Sequence, residues 1–388
     1  MLVSLPGVMI ELDRREAQNR FGLKAALRWI ATHESLTLLL FLWLVGAGFA
    51  LQKHGVPPIW DSDYLNYWFA PRAMRAGVNP YDVVAYKHYG LSFFPKANPP
   101  QFNFTYPPHS LFLFWPLSYF SAYASYAAWD AISLALFYFA AKRVLPRGLP
   151  AFVAVLSPAT ILCIQFGQTS LLSGALFLIA AGGSGLAAGL LTFKPQLGFL
   201  AAPLLMLKGR KPVLIAVATT IVLILSSQLL FGHWKDFLDH AGSYQAGQIF
   251  NEERKNIWYI IGVTPAMGYG PRGFLIYLAV AMIVLIRNFN IWTAATATFL
   301  ISPYGFHYDM SVASLGFAIL IFCYWNDLPL WQRLVASLAY LAPIIVQFGT
   351  WWVPPIMLLG LFVQTQCFPG VQLTWKRGRV VLAPVNQA

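Results

Sequence analysis

The sequence is dominated by long apolar runs, and a chain built in this way needs an apolar solvent. A transmembrane helix requires about 20 mainly apolar residues. Runs of this kind, some shorter, fall near 35–51, 122–141, 149–166, 169–182, 186–207, 212–230, 272–287, 290–306, 310–325, 331–347 and 351–366, with a short run at 109–120. They predict an all-α polytopic integral membrane protein with about 10–12 transmembrane helices.

The composition excludes a soluble protein. Only 10% of the 388 residues are charged, against about 25% in a soluble domain, and the mean hydropathy is +0.59. The net charge of +12 does not indicate nucleic-acid binding, because the Lys and Arg residues form short clusters between apolar runs. The three cysteines show no paired spacing, so neither a disulfide framework nor a zinc site is predicted.

The distribution of positive charge predicts the topology. Sixteen of the 26 Lys and Arg residues lie at the two ends of the chain or in short connections, which the positive-inside rule places in the cytoplasm. This predicts a cytoplasmic amphipathic segment at 1–34, a membrane domain at 35–370 and a basic cytoplasmic tail at 371–388. Two long loops, 52–108 and 231–271, would then lie on the outer face of the cytoplasmic (inner) membrane.

The first outer loop contains a predicted helix over Asp63–Ala76, lying along the outer membrane interface and ended by Gly77 and Asn79-Pro80. Four aromatic residues in it are typical of interface anchors, namely Tyr64, Tyr67, Trp68 and Phe69. Loops this long usually carry function. We therefore expect the active groups to lie at this face.

Acidic residues are scarce but concentrated in the predicted outer parts of the chain. Eight fall there, namely Asp61, Asp63, Asp82, Asp236, Asp239, Glu252, Glu253 and Asp309. A carboxylate beside the membrane could accept a proton from an attacking hydroxyl as a general base. The alternative for any one of them is a solvated charge or a helix cap, and Asp63 is positioned to be such a cap.

Lys194 lies inside an apolar run, where a buried ammonium is costly and usually faces a cavity or a partner. Pro195 follows it and predicts a broken helix, which would direct the lysine and free backbone N–H groups at an anion such as a lipid phosphate. The alternative is a lysine near a helix end that extends to the interface.

Several further residues are candidate ligand contacts. Gln168, in Gly167–Ser170, is suited to sugar hydroxyls, although a glycine turn would also explain the segment. His307 lies close to Asp309, and Arg72 could contact a phosphate or lipid headgroups. Tyr106 precedes a diproline that predicts a cavity wall. No nucleotide-binding motif occurs, so coupling to nucleotide hydrolysis is not expected.

The order of these segments resembles glycosyltransferase family 87 (DUF2029) over residues 36–370. The segments that carry the resemblance are Asp63-Tyr64-Leu65-Asn66-Tyr67, Ala76-Gly77-Val78-Asn79-Pro80-Tyr81-Asp82, Tyr106-Pro107-Pro108, Gly167-Gln168, Lys194-Pro195-Gln196 and Ser302-Pro303 with His307. Two departures are Pro71, expected to interrupt the helix after Asp63, and Phe306 with a single His307 where relatives often have Trp and paired histidines.

The resemblance implies a GT-C-type bundle similar to the polyprenol-phosphate-mannose-dependent α-1,2-mannosyltransferases. Such an enzyme would move a hexose, with mannose expected, from a polyprenyl-phosphate donor to a lipid or cell-envelope glycan on the outer face, with inversion. Asp63 would be the general base, and Lys194, Arg72 and His307 would contact the donor phosphate. Substrate contacts are assigned to Tyr67, Tyr106, Gln168 and Asp309. No cofactor, metal or nucleic-acid partner is expected.

Two other classes share some of these features. A transporter or flippase of a lipid-linked sugar would also have a helical bundle, broken helices and a lysine within the membrane, but the two halves of the chain show no convincing repeat. A structural membrane subunit offers no reason for an unpaired lysine in an apolar run. The long acid-bearing first loop favours catalysis.

Overall fold

The computed structural model describes residues 62–95, 102–146, 149, 151–240, 260–261, 270–302, 305–346, 348–376 and 379–384. Several predicted features lie outside these described residues. They are the segment 1–34, the apolar run at 35–51, Asp61, Glu252 and Glu253.

The described part of the chain is mostly helical and follows the predicted apolar runs from residue 122 onward. Its α-helices are α1 (Tyr64–Arg75), α2 (Val83–Phe93), α3 (Leu111–Phe114), α4 (Ala122–Val144), α5 (Ala151–Val155), α6 (Pro158–Phe166), α7 (Ser170–Ala181), α8 (Gly185–Leu190), α9 (Pro195–Gly198), α10 (Ala201–Met206), α11 (Arg210–Leu230), α12 (Gly270–Arg287), α13 (Ile291–Ile301), α14 (Ser311–Cys323), α15 (Leu330–Ile345) and α16 (Val353–Cys367). Short 3-10 turns join several of them, at Pro108–Ser110, Leu117–Tyr119, Leu191–Phe193, His307–Met310, Trp325–Asp327 and Thr350–Trp352.

Local sequence signals explain where these helices begin and break. The Ser121 side chain accepts a hydrogen bond from the Ala124 amide and begins α4. Ser157 caps α6, whose first residue is Pro158, and together they divide the run predicted at 149–166 into α5 and α6. The break predicted at Lys194-Pro195 is confirmed, because Lys194 has extended φ and Pro195 starts a new helix.

Two described helices are long and apolar enough to cross a membrane, α4 and α11. Helix α11 fully buries only Ser227, and about half of its residues are exposed, so one side of the helix faces outward. Lipid is the environment that such a surface requires. Six shorter apolar helices, at 170–181, 275–287, 291–301, 307–323, 330–345 and 353–367, accompany them.

Helix α11 is held against α8 by two glycines one helical turn apart. A Cβ on Gly185 would lie 2.1 Å from the Pro212 carbonyl oxygen, and one on Gly189 would lie 2.5 Å from the Thr219 Cβ. Small residues at this spacing allow two membrane helices to approach closely. The backbone oxygen of Pro212 cannot move aside without displacing α11.

We expect Gly185→Ala to destabilise the protein by about 1–3 kcal/mol, the usual cost of overpacking a close contact. Thermal unfolding in detergent measures the effect as a lower melting temperature. Leu186→Ala is the matched control, since Leu186 lies next in α8 with 56% of its surface exposed. An equal effect of both substitutions would contradict a close α8–α11 contact.

The buried side chains form two cores. The larger core contains side chains from α4–α10 and α12–α16. The smaller one is an aromatic cluster built on α1 and its neighbours α2, α3 and α4. The predicted interface anchors Tyr64, Tyr67, Trp68 and Phe69 all lie in this smaller core, with at most 6% of their surface exposed. Their assignment as membrane anchors is wrong, because packing of α1 against α2, α3 and α4 buries all four side chains.

The predicted helix after Asp63 is confirmed, and it ends at Arg75 before Gly77, whose φ is +78°. The expectation that Pro71 interrupts it is wrong. Pro71 lacks one backbone donor, but nine of the twelve residues of α1 are buried and packing holds the helix continuous. Helix α2 follows in the same loop and was not expected.

Two small antiparallel sheets complete the described fold. Strand β1 (Ile260–Ile261) pairs with β2 (Gly305–Phe306), with Ile260 opposite Phe306. Strands β3 (Val371–Lys376) and β4 (Arg379–Pro384) form a hairpin in the segment expected to be a basic tail. A bridge between Phe289 and Val371 attaches this hairpin to the connection between α12 and α13.

Candidate functional site

The site is built around the turn between α6 and α7. Helix α6 ends at Gly167 in the left-handed conformation (φ +62°), where a Cβ would lie 2.2 Å from the Tyr126 ring and 2.5 Å from the Tyr64 Cβ. Only glycine fits this position. Two hydrogen bonds then fix the Gln168 backbone. Its N–H donates to the Cys163 carbonyl, and the Trp129 indole donates to the Gln168 carbonyl at 3.2 Å.

Asp63 begins α1, but its side chain does not cap that helix. Its carboxylate accepts a hydrogen bond from the Gln168 side-chain amide instead. Burial of the carboxylate raises the pKa of Asp63 to about 6, although the Gln168 hydrogen bond and the positive charge of Lys194 act in the opposite direction. Asp63 is therefore a carboxylate that can exchange a proton near neutral pH.

A chain of hydrogen bonds leads to Asp63 through Gln168. The Tyr67 hydroxyl donates to the Gln168 side-chain oxygen at 2.8 Å and lies 3.2 Å from the Tyr106 hydroxyl, which lies 2.9 Å from the Thr169 hydroxyl. Because Tyr67 has a single proton and gives it to Gln168, Tyr106 donates to Tyr67 and Thr169 donates to Tyr106. All the donors in this chain point toward the carboxylate, an arrangement that strengthens each bond.

Lys194 forms the second half of the site. Its ammonium lies 2.5 Å from the Asp309 carboxylate, and the two side chains are 4% and 1% exposed. Ser170 donates to the same carboxylate oxygen and accepts from Lys194 at 3.3 Å, while the Phe306 amide donates to the other oxygen at 3.0 Å. The lysine expected to be unpaired thus has a counter-charge in the same bundle.

The two halves meet on three consecutive residues. Gln168 contacts Asp63, Thr169 contacts Tyr106, and Ser170 contacts the Lys194–Asp309 pair. A small cavity of about 20 Å³ lies beside Asp309 between α7, α13 and α14. Asp63, Tyr67, Tyr106, Gln168, Lys194 and Asp309 are brought together. Sequence reasoning gave Thr169 and Ser170 no separate roles, and their position beside Gln168 was the available signal.

The remaining predicted site residues differ in placement. His307 is buried beside the site, with its ring 5.8 Å from that of Phe166 and 5.0 Å from that of Tyr308. Arg72 does not join the network: its guanidinium lies 3.9 Å from the centroid of the Trp68 ring and donates to the Phe120 carbonyl. Arg72 is nine positions after Asp63 in the sequence, which places the two on opposite faces of α1.

Other acids of the outer segments have structural partners. Asp82 caps α2 by accepting from the Val84 and Ala85 amides. Asp236 lies 2.7 Å from the His233 ring and 2.8 Å from the Asn79 amide, which attaches the second outer segment to the first. Within the described ranges, no group of three or more His, Cys, Asp and Glu side chains is arranged to hold a metal ion.

Removal of one donor from this chain of hydrogen bonds should slow the glycosyl transfer expected from the sequence without unfolding the protein. We expect Tyr67→Phe to lower turnover by about tenfold, the effect of losing one hydrogen bond of roughly 1–1.5 kcal/mol. Initial rates in detergent measure this. Tyr86→Phe is the control, because the Tyr86 hydroxyl is also buried and bonds to Asn66 away from the chain. Equal rates for the two variants would show that this chain of hydrogen bonds has no role in the reaction.

The comparison with protein families fits this site. Residues 104–303 match the sequence model of glycosyltransferase family 87, a span that includes Tyr106, Gln168 and Lys194. Neither the curated proteins nor the solved structures include a match to the chain. The match covers half of the chain, and the order of segments noted in the sequence agrees with it. The chain therefore belongs to glycosyltransferase family 87 and is a membrane glycosyltransferase.

Proposed function

We propose that the protein is a polytopic GT-C-type hexosyltransferase that uses a polyprenyl-phosphate-linked sugar as donor. The acceptor is a lipid or cell-envelope glycan, the sugar is mannose, and transfer inverts the anomeric carbon. The site faces the outside of the cytoplasmic membrane. The observation that carries this proposal is the Asp63 carboxylate, which has a pKa of about 6 and lies at the end of the hydrogen-bond chain.

The reaction needs one proton acceptor and one leaving group. The acceptor hydroxyl gives its proton to Asp63 as its oxygen forms a bond to the anomeric carbon. The bond between that carbon and the phosphate oxygen breaks, and the electron pair leaves with the polyprenyl phosphate. Gln168 holds the carboxylate in place through its side-chain amide. Asp63 returns the proton to solvent or to the phosphate afterwards.

Lys194 supplies positive charge for the departing phosphate in this proposal. The ammonium is a compact charge with three donors, and Asp309 and Ser170 receive two of them. Asp309 thus positions the lysine rather than contacting the sugar. His307 forms the adjacent wall, and its contact with the donor phosphate remains a prediction. Arg72 takes no part in the step, because it lies on the other face of α1.

Transfer from synthetic donors tests the proposal. Purified protein in liposomes is given radiolabelled polyprenyl-phosphate-mannose, with glucosyl, galactosyl and arabinosyl donors in parallel and a host lipid extract as acceptor. We expect label in a new product with the mannosyl donor, and none with Asp63→Asn. Tyr86→Phe serves as the folded active control.

The other possible results would each change one part of the proposal. Transfer from another donor in place of the mannosyl one would show that the enzyme uses a different sugar. Movement of the intact labelled lipid across the bilayer with no new product would replace the enzyme by a flippase. Full turnover of Asp63→Asn would remove Asp63 as the base.

A further inference from the structure

A second cavity lies on the far side of α1 from Asp63. It has a volume of about 300 Å³, at the lower end of the range of sites that bind small molecules. Its walls come from α1 and α2 and are mostly aromatic, with two arginines at one side. The lining residues are Trp68, Phe69, Arg72, Arg75, Ala76, Tyr89, Phe93 and Phe94.

The two arginines are fixed in place by the segment before α4. The Arg72 guanidinium donates to the Phe120 carbonyl at 3.0 Å, and Arg75 donates to the Ser118 hydroxyl at 2.8 Å. Arg75 also lies 4.5 Å from the centroid of the Tyr119 ring. These contacts orient both guanidinium groups without neutralising either of them.

Neither arginine has an acidic partner within the described ranges, where the ion pairs involve Lys194 and His233 only. The Arg72 Nε atom is buried and has no hydrogen-bond acceptor there. Two neighbouring positive charges repel each other, and an anion between them would offset this repulsion. It would also accept the unused donor of Arg72. Guanidinium groups bind phosphate oxygens with paired hydrogen bonds.

The position of the cavity indicates which phosphate would reach it. Ser118 and Phe120 immediately precede Ala122, the first residue of the candidate membrane span α4. Large aromatic side chains around them are exposed, including Tyr119 at 65% and Tyr123 at 62%, and Phe93 at the cavity wall is 58% exposed. Exposed aromatic rings at the end of a span are typical of the headgroup level of a bilayer.

We propose that this cavity binds the phosphate headgroup of an anionic phospholipid. Arg72 and Arg75 contact the phosphate, and the aromatic walls pack against the glycerol and the first acyl carbons. The site is separate from the transfer reaction, because about 13 Å of helix axis and the body of α1 lie between Asp63 and Arg72. It goes beyond the proposed function and does not depend on it.

Lipid binding by the full-length protein tests this proposal. Purified wild type and variants in detergent are titrated with phosphatidylglycerol, phosphatidylcholine or sodium phosphate, and bound lipid is counted by native mass spectrometry. We expect wild type to retain phosphatidylglycerol, and Arg72→Gln with Arg75→Gln to bind it about tenfold more weakly. Lys87→Gln is the matched control, since Lys87 is an exposed cation on α2 and should leave binding unchanged.

Three results would overturn the proposal. They are equal retention of phosphatidylglycerol by the double variant, equal weakening by Lys87→Gln, and saturation by sodium phosphate alone, which would indicate a site for a soluble anion. If the double variant does not fold, Arg75→Gln alone decides in the same way, because Arg75 is exposed. The count of bound lipid needs no activity, so failure of the glycosyltransferase proposal would leave this result intact.

Discussion

Asp63→Asn is expected to lower the rate of transfer by about a thousandfold, within the usual contribution of a general base. At pH 7.5 it should nevertheless unfold at a higher temperature than the wild type. An asparagine can still accept the Gln168 hydrogen bond, but it has no charge to bury. The gain follows from the pKa of Asp63, which rises from 3.8 to about 6 on folding. A shift of this size costs the folded protein up to about 3 kcal/mol when the group is ionised.

The pH dependence distinguishes this explanation from a general effect of the substitution. Below pH 3.8 the carboxyl is protonated in both states and the cost is absent; it grows between pH 3.8 and about 6 and is complete above pH 6. Thermal unfolding at pH 4 and pH 7.5 should therefore show a gain for Asp63→Asn only at the higher pH. Wild-type transfer should also decline below pH 6, as the base becomes protonated.

Asp82→Asn is the control for both measurements. Asp82 is an exposed cap of α2, and asparagine caps a helix equally well. Its stability and transfer should match those of the wild type. A lower melting temperature for Asp63→Asn at both pH values would contradict a cost from burying the ionised carboxylate.

Asp309→Asn is expected to destabilise the protein by about 3–5 kcal/mol, because it leaves the buried Lys194 ammonium without its counter-charge. The double variant Lys194→Met with Asp309→Asn should recover most of that loss, since neither group then carries charge. Transfer should stay low in the double variant, because the cation proposed for the phosphate is absent. Thermal unfolding and initial rates of the three proteins form the test.

Asp327→Asn provides the matched control, as Asp327 is an exposed acid within the described part of the chain. It should change neither stability nor rate. A double variant as unstable as Asp309→Asn would show that the damage lies in the lost bonds to Ser170 and the Phe306 amide instead. Wild-type transfer by the double variant would remove Lys194 from the reaction.

The helices were predictable because apolar runs and caps are local signals. The break at Lys194-Pro195 was read from two adjacent residues, and the end of α1 from Gly77. The burial of Tyr64 and Trp68 was not predictable, because the local sequence does not distinguish an aromatic residue at a membrane surface from one in a protein core. Helix α2 was missed because Val83–Phe93 has no clear apolar stripe.

The site residues were recognisable one at a time, but their contacts were not. Asp63 and Gln168 are 105 positions apart, and no local pattern shows that they touch. Lys194 was an evident anomaly, whereas Asp309 as its partner required the folded bundle. Arg72 is the opposite case, because the helical period alone already places it across α1 from Asp63.

The pairing of Lys194 with Asp309 also has a consequence for biosynthesis. The ribosome adds 115 residues between the two, which at 5–20 residues per second takes on the order of 10 s. During that interval Lys194 has no Asp309 counter-charge, so water, lipid headgroups or the insertion machinery would have to stabilise its ammonium. The Asp309→Asn chain keeps the unpaired charge after folding, so we expect it to accumulate in membranes to a lower level than the wild type.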